Sequence, residues 1–332
     1  MGKAEYFETI IIGAGPCGLA AAVELERNDM DYLVLEAHNI VNAIYNYPTH
    51  QTFFSSSEKI AIGEFPFITE EHKPKRNQAL VYYREAVKHF DLNIRVFEKV
   101  TSGSRTDEGF IIETDKKSYS CRHLIIATGY YGQPNQLDVP GGDKSKVSHY
   151  FKEAHPYFNS QVLVVGGRNS SADAAIELEK AGAHVTVIHR RADYSKSIKP
   201  WVLPQLKSLV EHGRIKYAFN TELLEVKDDS AVIRTGDEIK EIKNDFVLAM
   251  IGYHPDYDFL RSFGIRLTAY EEGYAPSYDH ATMETNIENL YLAGVVAAGD
   301  DANTIFIENG RFHGKKIIRN IMQKSALGNQ HL

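Results

Sequence analysis

The chain runs to 332 residues, 43% of them hydrophobic, which is room for two domains of ordinary size with well-buried cores. Its 37 Lys and Arg against 44 Asp and Glu leave a net charge of −7, so a nucleic-acid partner has no electrostatic footing. The two cysteines, Cys17 and Cys121, make neither a CxxC pair nor a metal-ligand spacing, which fits a reduced, cytoplasmic setting.

From the N-terminus, the most apolar early stretch, Ile10 to Ala22, follows acidic Glu5 and Glu8 and is broken by glycines and Pro16. It is read as neither a signal peptide nor a membrane span. Instead Thr9 to Ile12 predicts a strand, Gly13 to Gly18 (GAGPCG) a tight turn, and Leu19, Ala22 and Val23 a helix leading to a second strand that ends at Glu36. Gly13 allows the turn, Gly15 lets backbone approach a pyrophosphate at the helix N-terminus beside Pro16 and Cys17, and Gly18 lets helix and strand pack closely. Glu36 can accept hydrogen bonds from both ribose hydroxyls of an adenosine.

Leu124 to Gly129 (LIIATG) predicts a buried strand ending in a turn, and Gly132 to Gly142 a crossing into a second domain. There the logic repeats: Gly166, Gly167, Arg168, Asn169, Ser170 and Ser171 form a second glycine-rich turn, and the strand His184 to Ile188 runs into His189, Arg190 and Arg191. An acidic residue at that strand end would repel a ribose 2′-phosphate, whereas guanidiniums bind it through charge-assisted hydrogen bonds. The second nucleotide is therefore expected to be NADPH, not NADH. Arg168 stands where a glycine is usual; it either folds over the phosphates or points to solvent.

Phe246 to Gly252 suggests the crossing back, Leu290 to Gly294 (LYLAG) another apolar strand, and Asn303 to Gly314 the opening of a last helix through Lys315 to Met322. No short-period repeat appears, which excludes a solenoid.

The order GAGPCG, Glu36, ATG at Ala127, Thr128 and Gly129, GGRNSS, HRR and LYLAG resembles the low-molecular-weight thioredoxin reductase superfamily over essentially the whole chain. The resemblance implies an α/β fold of two Rossmann-like, three-layer ββα domains. An FAD domain (residues 1–134 and 252–332) would carry an inserted NADPH domain (135–251). It also implies that His50, Gln51, Thr52, Val100, Ala127, Thr128, Gly129 and Gly294 line the FAD, with Tyr45 and Tyr47 stacking on its ring or serving the core. Two family features are missing. The dithiol stretch is here Ser148 to Phe158, without cysteine, and the Gly-Asp pair that holds the ribitol has become Gly294 and Val295, with Asp300 and Asp301 further downstream.

A narrower match, through Tyr45 to Ser57, Asn77 to Lys88, Tyr194 to Pro204 and Ile305 to Gly314, resembles the YpdA-type bacillithiol disulfide reductases. That implies an FAD enzyme using NADPH to reduce the disulfide of a small thiol, working as a homodimer or homotetramer. Cys17 is then the catalytic candidate: a helix N-terminus favours its thiolate, while a neighbouring pyrophosphate opposes it. The other reading makes Cys17 a small apolar residue tolerated in the turn. Cys121, opening an apolar strand, reads as a structural thiol. Lys199 is weighed for the 2′-phosphate site, and His149 and His155 for the disulfide pocket. The alternatives are a ferredoxin or flavodoxin reductase, in which Cys17 would be dispensable, and a flavin redox sensor without turnover.

Overall fold

Strand β1 (Glu5–Ile12) extends the predicted Thr9 strand toward the N-terminus and runs parallel to β2 (Tyr32–Leu35), Ile10 opposite Leu33. Between them α1 (Pro16–Glu26) begins on a proline, whose missing N–H costs nothing at a helix start, and buries Leu19, Ala22 and Val23. After α2 (Asn42–Tyr45), α3 (Ser57–Ile60) and α4 (Arg76–His89), the short β3 (Ile94–Arg95) joins the edge beside β2. A meander of β4 (Val100–Thr106), β5 (Gly109–Thr114) and β6 (Ser118–Ile126) follows. β6 is long enough to divide its pairing: Tyr119 and Cys121 face β5 antiparallel, while Leu124 to Ile126 run beside a strand from the far end of the chain.

Residues 4–271, 273–301 and 304–328 are described by this computed structural model. They form two compact units: one holds the chain up to Tyr45, Gln51–Gln133 and everything from His254 on; the other holds Asn46–His50 and Pro134–Tyr253.

The second unit is built on a parallel sheet of β7 (Val147–Ser148), β8 (Gln161–Val165), β9 (His184–Ile188), β10 (Ile215–Ala218) and, later in the chain, β14 (Phe246–Ala249), in the order β10-β9-β8-β14-β7. Alternation along β8 decides its layers. Val162 and Val164 face the core shared with α5 (Asn169–Lys180) and α6 (Leu203–Glu211), whereas Leu163 faces an antiparallel sheet of β11 (Thr221–Val226), β12 (Ser230–Thr235) and β13 (Glu238–Lys243). This is a three-layer Rossmann-like unit.

The chain returns to the first unit through α7 (Tyr257–Ser262), the hairpin of β15 (Leu267–Tyr270) and β16 (Gly273–Pro276), and β17 (Leu290–Leu292), which pairs parallel to β6. Then come α8 (Ile307–Gly310) and α9 (His313–Gly328), a longer last helix than its apolar pattern suggests. Asn303, expected to open this segment, lies outside the described residues. A Cβ on Gly314 would meet the Ala21 backbone at 2.6 Å, so glycine lets α9 lie close against α1. β2, β1, β6 and β17 therefore end at one edge of the sheet in that order, where ligands of such folds bind.

Candidate active site

In the first unit β1 gives way to Gly13, whose φ of 106° lies in the left-handed region and whose N–H donates to the Leu35 carbonyl at 2.8 Å. A Cβ there would stand 2.7 Å from the Ala127 carbonyl oxygen, and one on Gly18 would collide with the Gly13 carbonyl. Gly15, by contrast, faces open space, and α1 begins there without a side-chain cap or an acidic residue in its first turn. The free N–H groups and the positive helix end are what a pyrophosphate needs.

Glu36 is buried just past β2, its two oxygens accepting the Ala14 N–H at 2.8 Å and the His38 N–H at 2.9 Å. This fixes the carboxylate beside the turn with lone pairs left for ribose hydroxyls. Ala127, Thr128 and Gly129 follow β6 at the same edge, with the Ala127 N–H on the Ile12 carbonyl at 2.8 Å. An open cradle, uncapped helix end and oriented carboxylate fit FAD.

Gly294, after β17, closes this edge. Its N–H donates to His313 Nδ1 at 3.1 Å, and a Cβ on it would lie 3.0 Å from the Cys17 Sγ. A Cβ on Gly310 would lie 2.9 Å from the same sulfur, so the thiol occupies a niche between two glycines. Desolvation in this niche pushes the Cys17 thiol up to about 12, against the pull of the helix N-terminus, although the side chain is only partly covered. Cys121 is buried in β6 opposite Phe7 and Phe110, and burial raises its thiol as well. Both cysteines are free. His313 and Gly310 lie in the Ile305 to Gly314 segment that carries the narrower resemblance, but nothing in its pattern assigns either of them a place beside Cys17 or Gly294.

The residues expected beside the flavin are divided between the units. Gln51 and Thr52 belong to the first, where the Gln51 carbonyl accepts the Arg76 N–H at 2.8 Å and Thr52 bridges Lys75. His50 and Tyr47 belong to the second, where the His50 ring meets Phe151 edge-on at 6.0 Å. Tyr45 is exposed, with the Arg76 guanidinium over its ring at 5.3 Å. Val100 is buried at the start of β4, opposite Thr114. Asp300 is committed elsewhere, accepting the Tyr274 N–H at 2.8 Å.

In the second unit the Gly166 N–H donates to the Ile188 carbonyl at 3.1 Å, and its φ of 138° again requires glycine. The His189 ring fills the space where a Cβ on Gly167 would stand. Arg168 is exposed at the N-cap of α5 on extended backbone, and the Ser171 hydroxyl donates to its carbonyl at 2.7 Å. Asn169 ties down the next loop, donating to the Ser197 carbonyl at 2.8 Å and accepting the Lys199 N–H at 2.9 Å; Ser170 is exposed in the first turn. Arg190 and Arg191 are exposed beyond β9. His189 is buried with no partner on Nε2, and burial, then Arg191, Arg190 and Arg168, lower its pKa. Three guanidiniums thus converge electrostatically on one strand end, which fits the 2′-phosphate of NADPH. His155 is exposed; His149 is half-buried, its carbonyl accepting the Tyr253 hydroxyl at 3.2 Å.

Residues 10–294 match the pyridine nucleotide-disulphide oxidoreductase family. The chain belongs to that family. The reductase is 53% identical over 319 residues to bacilliredoxin reductase Bdr of Bacillus subtilis (strain 168), covering 96% of this chain and 98% of the relative. It superimposes on the bacillithiol disulfide reductase Bdr (YpdA) of Staphylococcus aureus with a TM-score of 0.94 and 57% identity, over 96% and 99% of the two chains. Thioredoxin reductase of T. acidophilum shares the fold, with a TM-score of 0.77 at 22% identity over 97% and 99%. The YpdA-type resemblance therefore holds along the whole chain, and the protein is a disulfide reductase working with FAD and NADPH. Among the described residues no helix is long and apolar enough to cross a membrane.

Proposed function

We propose that the reductase transfers two electrons from NADPH to bacillithiol disulfide. NADPH, a proton and the disulfide go in; NADP+ and two thiols come out. The observation that carries this reading is the whole-length match to a structure named for that activity. FAD, when bound, would supply the hydride-accepting and two-electron-donating chemistry. The FAD domain is assigned to residues 1–134 and 252–332, with Gly13, Gly15, Pro16, Cys17 and Gly18 cradling the pyrophosphate and Glu36 holding the adenosine ribose. His50, Gln51, Thr52, Val100, Ala127, Thr128, Gly129 and Gly294 are assigned to its flavin half. The NADPH domain is assigned to residues 135–251: Gly166, Gly167, Asn169, Ser170 and Ser171 shape its turn, and Arg168, His189, Arg190 and Arg191 select the 2′-phosphate.

Cys17 is assigned the thiol exchange. Its thiolate attacks the disulfide, releases one thiol and holds the other as a mixed disulfide, which the two electrons from NADPH then cleave. The tight niche and raised pKa favour a second reading, in which Cys17 only fills the space between Gly294 and Gly310. The B. subtilis relative's name favours a second acceptor, an oxidised bacilliredoxin. Two free cysteines and a net charge of −7 support a cytoplasmic enzyme without nucleic-acid partners, and we assign it a homodimer or homotetramer, which light scattering reads directly.

Initial rates of NADPH oxidation against bacillithiol disulfide, oxidised bacilliredoxin and a panel of other small disulfides test the assignment. The proposal expects bacillithiol disulfide to give the highest kcat/KM. Turnover confined to bacilliredoxin moves the acceptor to the protein, and no turnover with any disulfide refutes the reading.

A further inference from the structure

The cofactor's course over the first unit follows from strand order. Glu36, where the adenosine ribose belongs, follows β2; the open Gly15 turn, where the pyrophosphate belongs, follows β1; β6 and β17 lie beyond. In FAD the ribitol chain is bonded to the pyrophosphate on the side away from the adenosine. It therefore passes over the ends of β6 and β17, where Gly129 and Gly294 lie. Val295 faces Gly129, its Cγ1 3.9 Å from where a Cβ on that glycine would stand, and offers the hydroxyls of that chain nothing polar.

His313 is a buried polar side chain at this end. It is 7% exposed, at the first position of α9, and its Nδ1 accepts the Gly294 N–H at 3.1 Å. An acceptor at Nδ1 places the ring proton on Nε2, a donor with no partner among the described residues. Burial, with Lys316 and His280 adding positive charge, holds the imidazole neutral, with its pKa near 4. A neutral donor beside a strand end suits a hydroxyl oxygen better than a phosphate, which the helix end at Gly15 already serves. We infer that His313 contacts FAD directly, its Nε2–H donating to a ribitol hydroxyl oxygen while Nδ1 pins the Gly294 loop. This rests on the reading that FAD occupies the first unit.

The test is FAD affinity of the full-length apoprotein, measured by flavin fluorescence, for wild type, His313→Asn, His313→Gln and His313→Ala. Asparagine can still accept the Gly294 N–H but cannot reach as far as Nε2; glutamine restores a donor near Nε2. The inference expects about tenfold weaker FAD binding for His313→Asn and His313→Ala, with partial recovery in His313→Gln. NADP+ affinity, a property of the second unit, and far-UV circular dichroism should match wild type in all three variants, which separates lost contact from lost fold. Wild-type affinity in His313→Asn overturns the inference alone, showing that the ring only caps Gly294. A wild-type chain that takes up no FAD overturns the cofactor reading with it.

Discussion

The two glycine-rich turns are built on one backbone plan and differ in what stands after their second strand. In both, the first glycine donates to the last carbonyl of that strand: Gly13 to Leu35, and Gly166 to Ile188. The next residue of the strand then reaches back to the second position of the turn. In the first unit that residue is Glu36, whose carboxylate accepts the Ala14 N–H; in the second it is His189, whose ring fills the space beside Gly167. A carboxylate leaves a site for ribose hydroxyls, whereas a buried imidazole flanked by guanidiniums leaves a site for an added phosphate. The third and sixth positions differ too. Open Gly15 becomes Arg168, and Gly18, pressed on Gly13, becomes Ser171, whose hydroxyl bonds the Arg168 carbonyl. One scaffold serves two nucleotides because selection lies in side chains and the cradle in the backbone.

Several substitutions break this symmetry, and the largest effect falls on Gly18. Gly18→Ala drives a Cβ into the Gly13 carbonyl, so we expect roughly 3 kcal/mol of lost stability and loss of bound flavin, read by thermal melting and absorbance. Ser171→Gly, the mirror change, should cost under about 1 kcal/mol. Replacing Arg190 and Arg191 together by Ala should raise KM for NADPH by about a hundredfold and leave KM for NADH nearly unchanged, since each charge-assisted bond is worth about 1.5 kcal/mol. An equal rise for both nucleotides would show that the arginines serve the fold or the shared pyrophosphate. Gly15→Ala meets nothing in the protein, so the apoprotein should melt as wild type while FAD affinity falls.

Acid separates the units with smaller effects of opposite sign. In the first, burial pushes His123 down to about 4 from 6.5, so its fold pays for a cation that the unfolded chain carries freely. Stability is complete above pH 6.5 and is lost as pH falls toward 4, and His123→Leu should flatten that fall in a melting series. In the second, burial and Glu177 push the Asp173 carboxyl up to about 6 from 3.8. Its ionisation weakens the fold as pH rises through 6, so Asp173→Asn should raise the melting temperature at pH 8 and match wild type near pH 4. A flat series in either unit would mean that water reaches the group.

Much of this was legible in the residues. Gly13 to Gly18, Gly166 to Ser171, Glu36 and His189 to Arg191 declare themselves because strand, turn and helix impose fixed spacings on glycines and on the residue after the second strand. The β11-β12-β13 sheet is not announced in the residues, because β13, EIKEIK, carries a charge at four of its six positions. The Cys17 niche is equally silent: Gly294 and Gly310 come from distant segments, and no local pattern announces that their missing side chains make room for a sulfur. The same holds for the bond from Gly294 to His313, which depends on where β17 and α9 end in space. His50, expected beside the flavin with Gln51 and Thr52, falls in the second unit with Thr49, whose N–H donates to the Lys152 carbonyl at 2.9 Å, a long-range pairing that no local pattern announces.

The most direct test is an anaerobic stopped-flow trace of the flavin in wild type and Cys17→Ala. NADPH should bleach the flavin band in both, and bacillithiol disulfide should restore it in wild type at least tenfold faster than in Cys17→Ala. Colour that returns only with a ferredoxin or flavodoxin, or no bleaching by NADPH, would contradict the account.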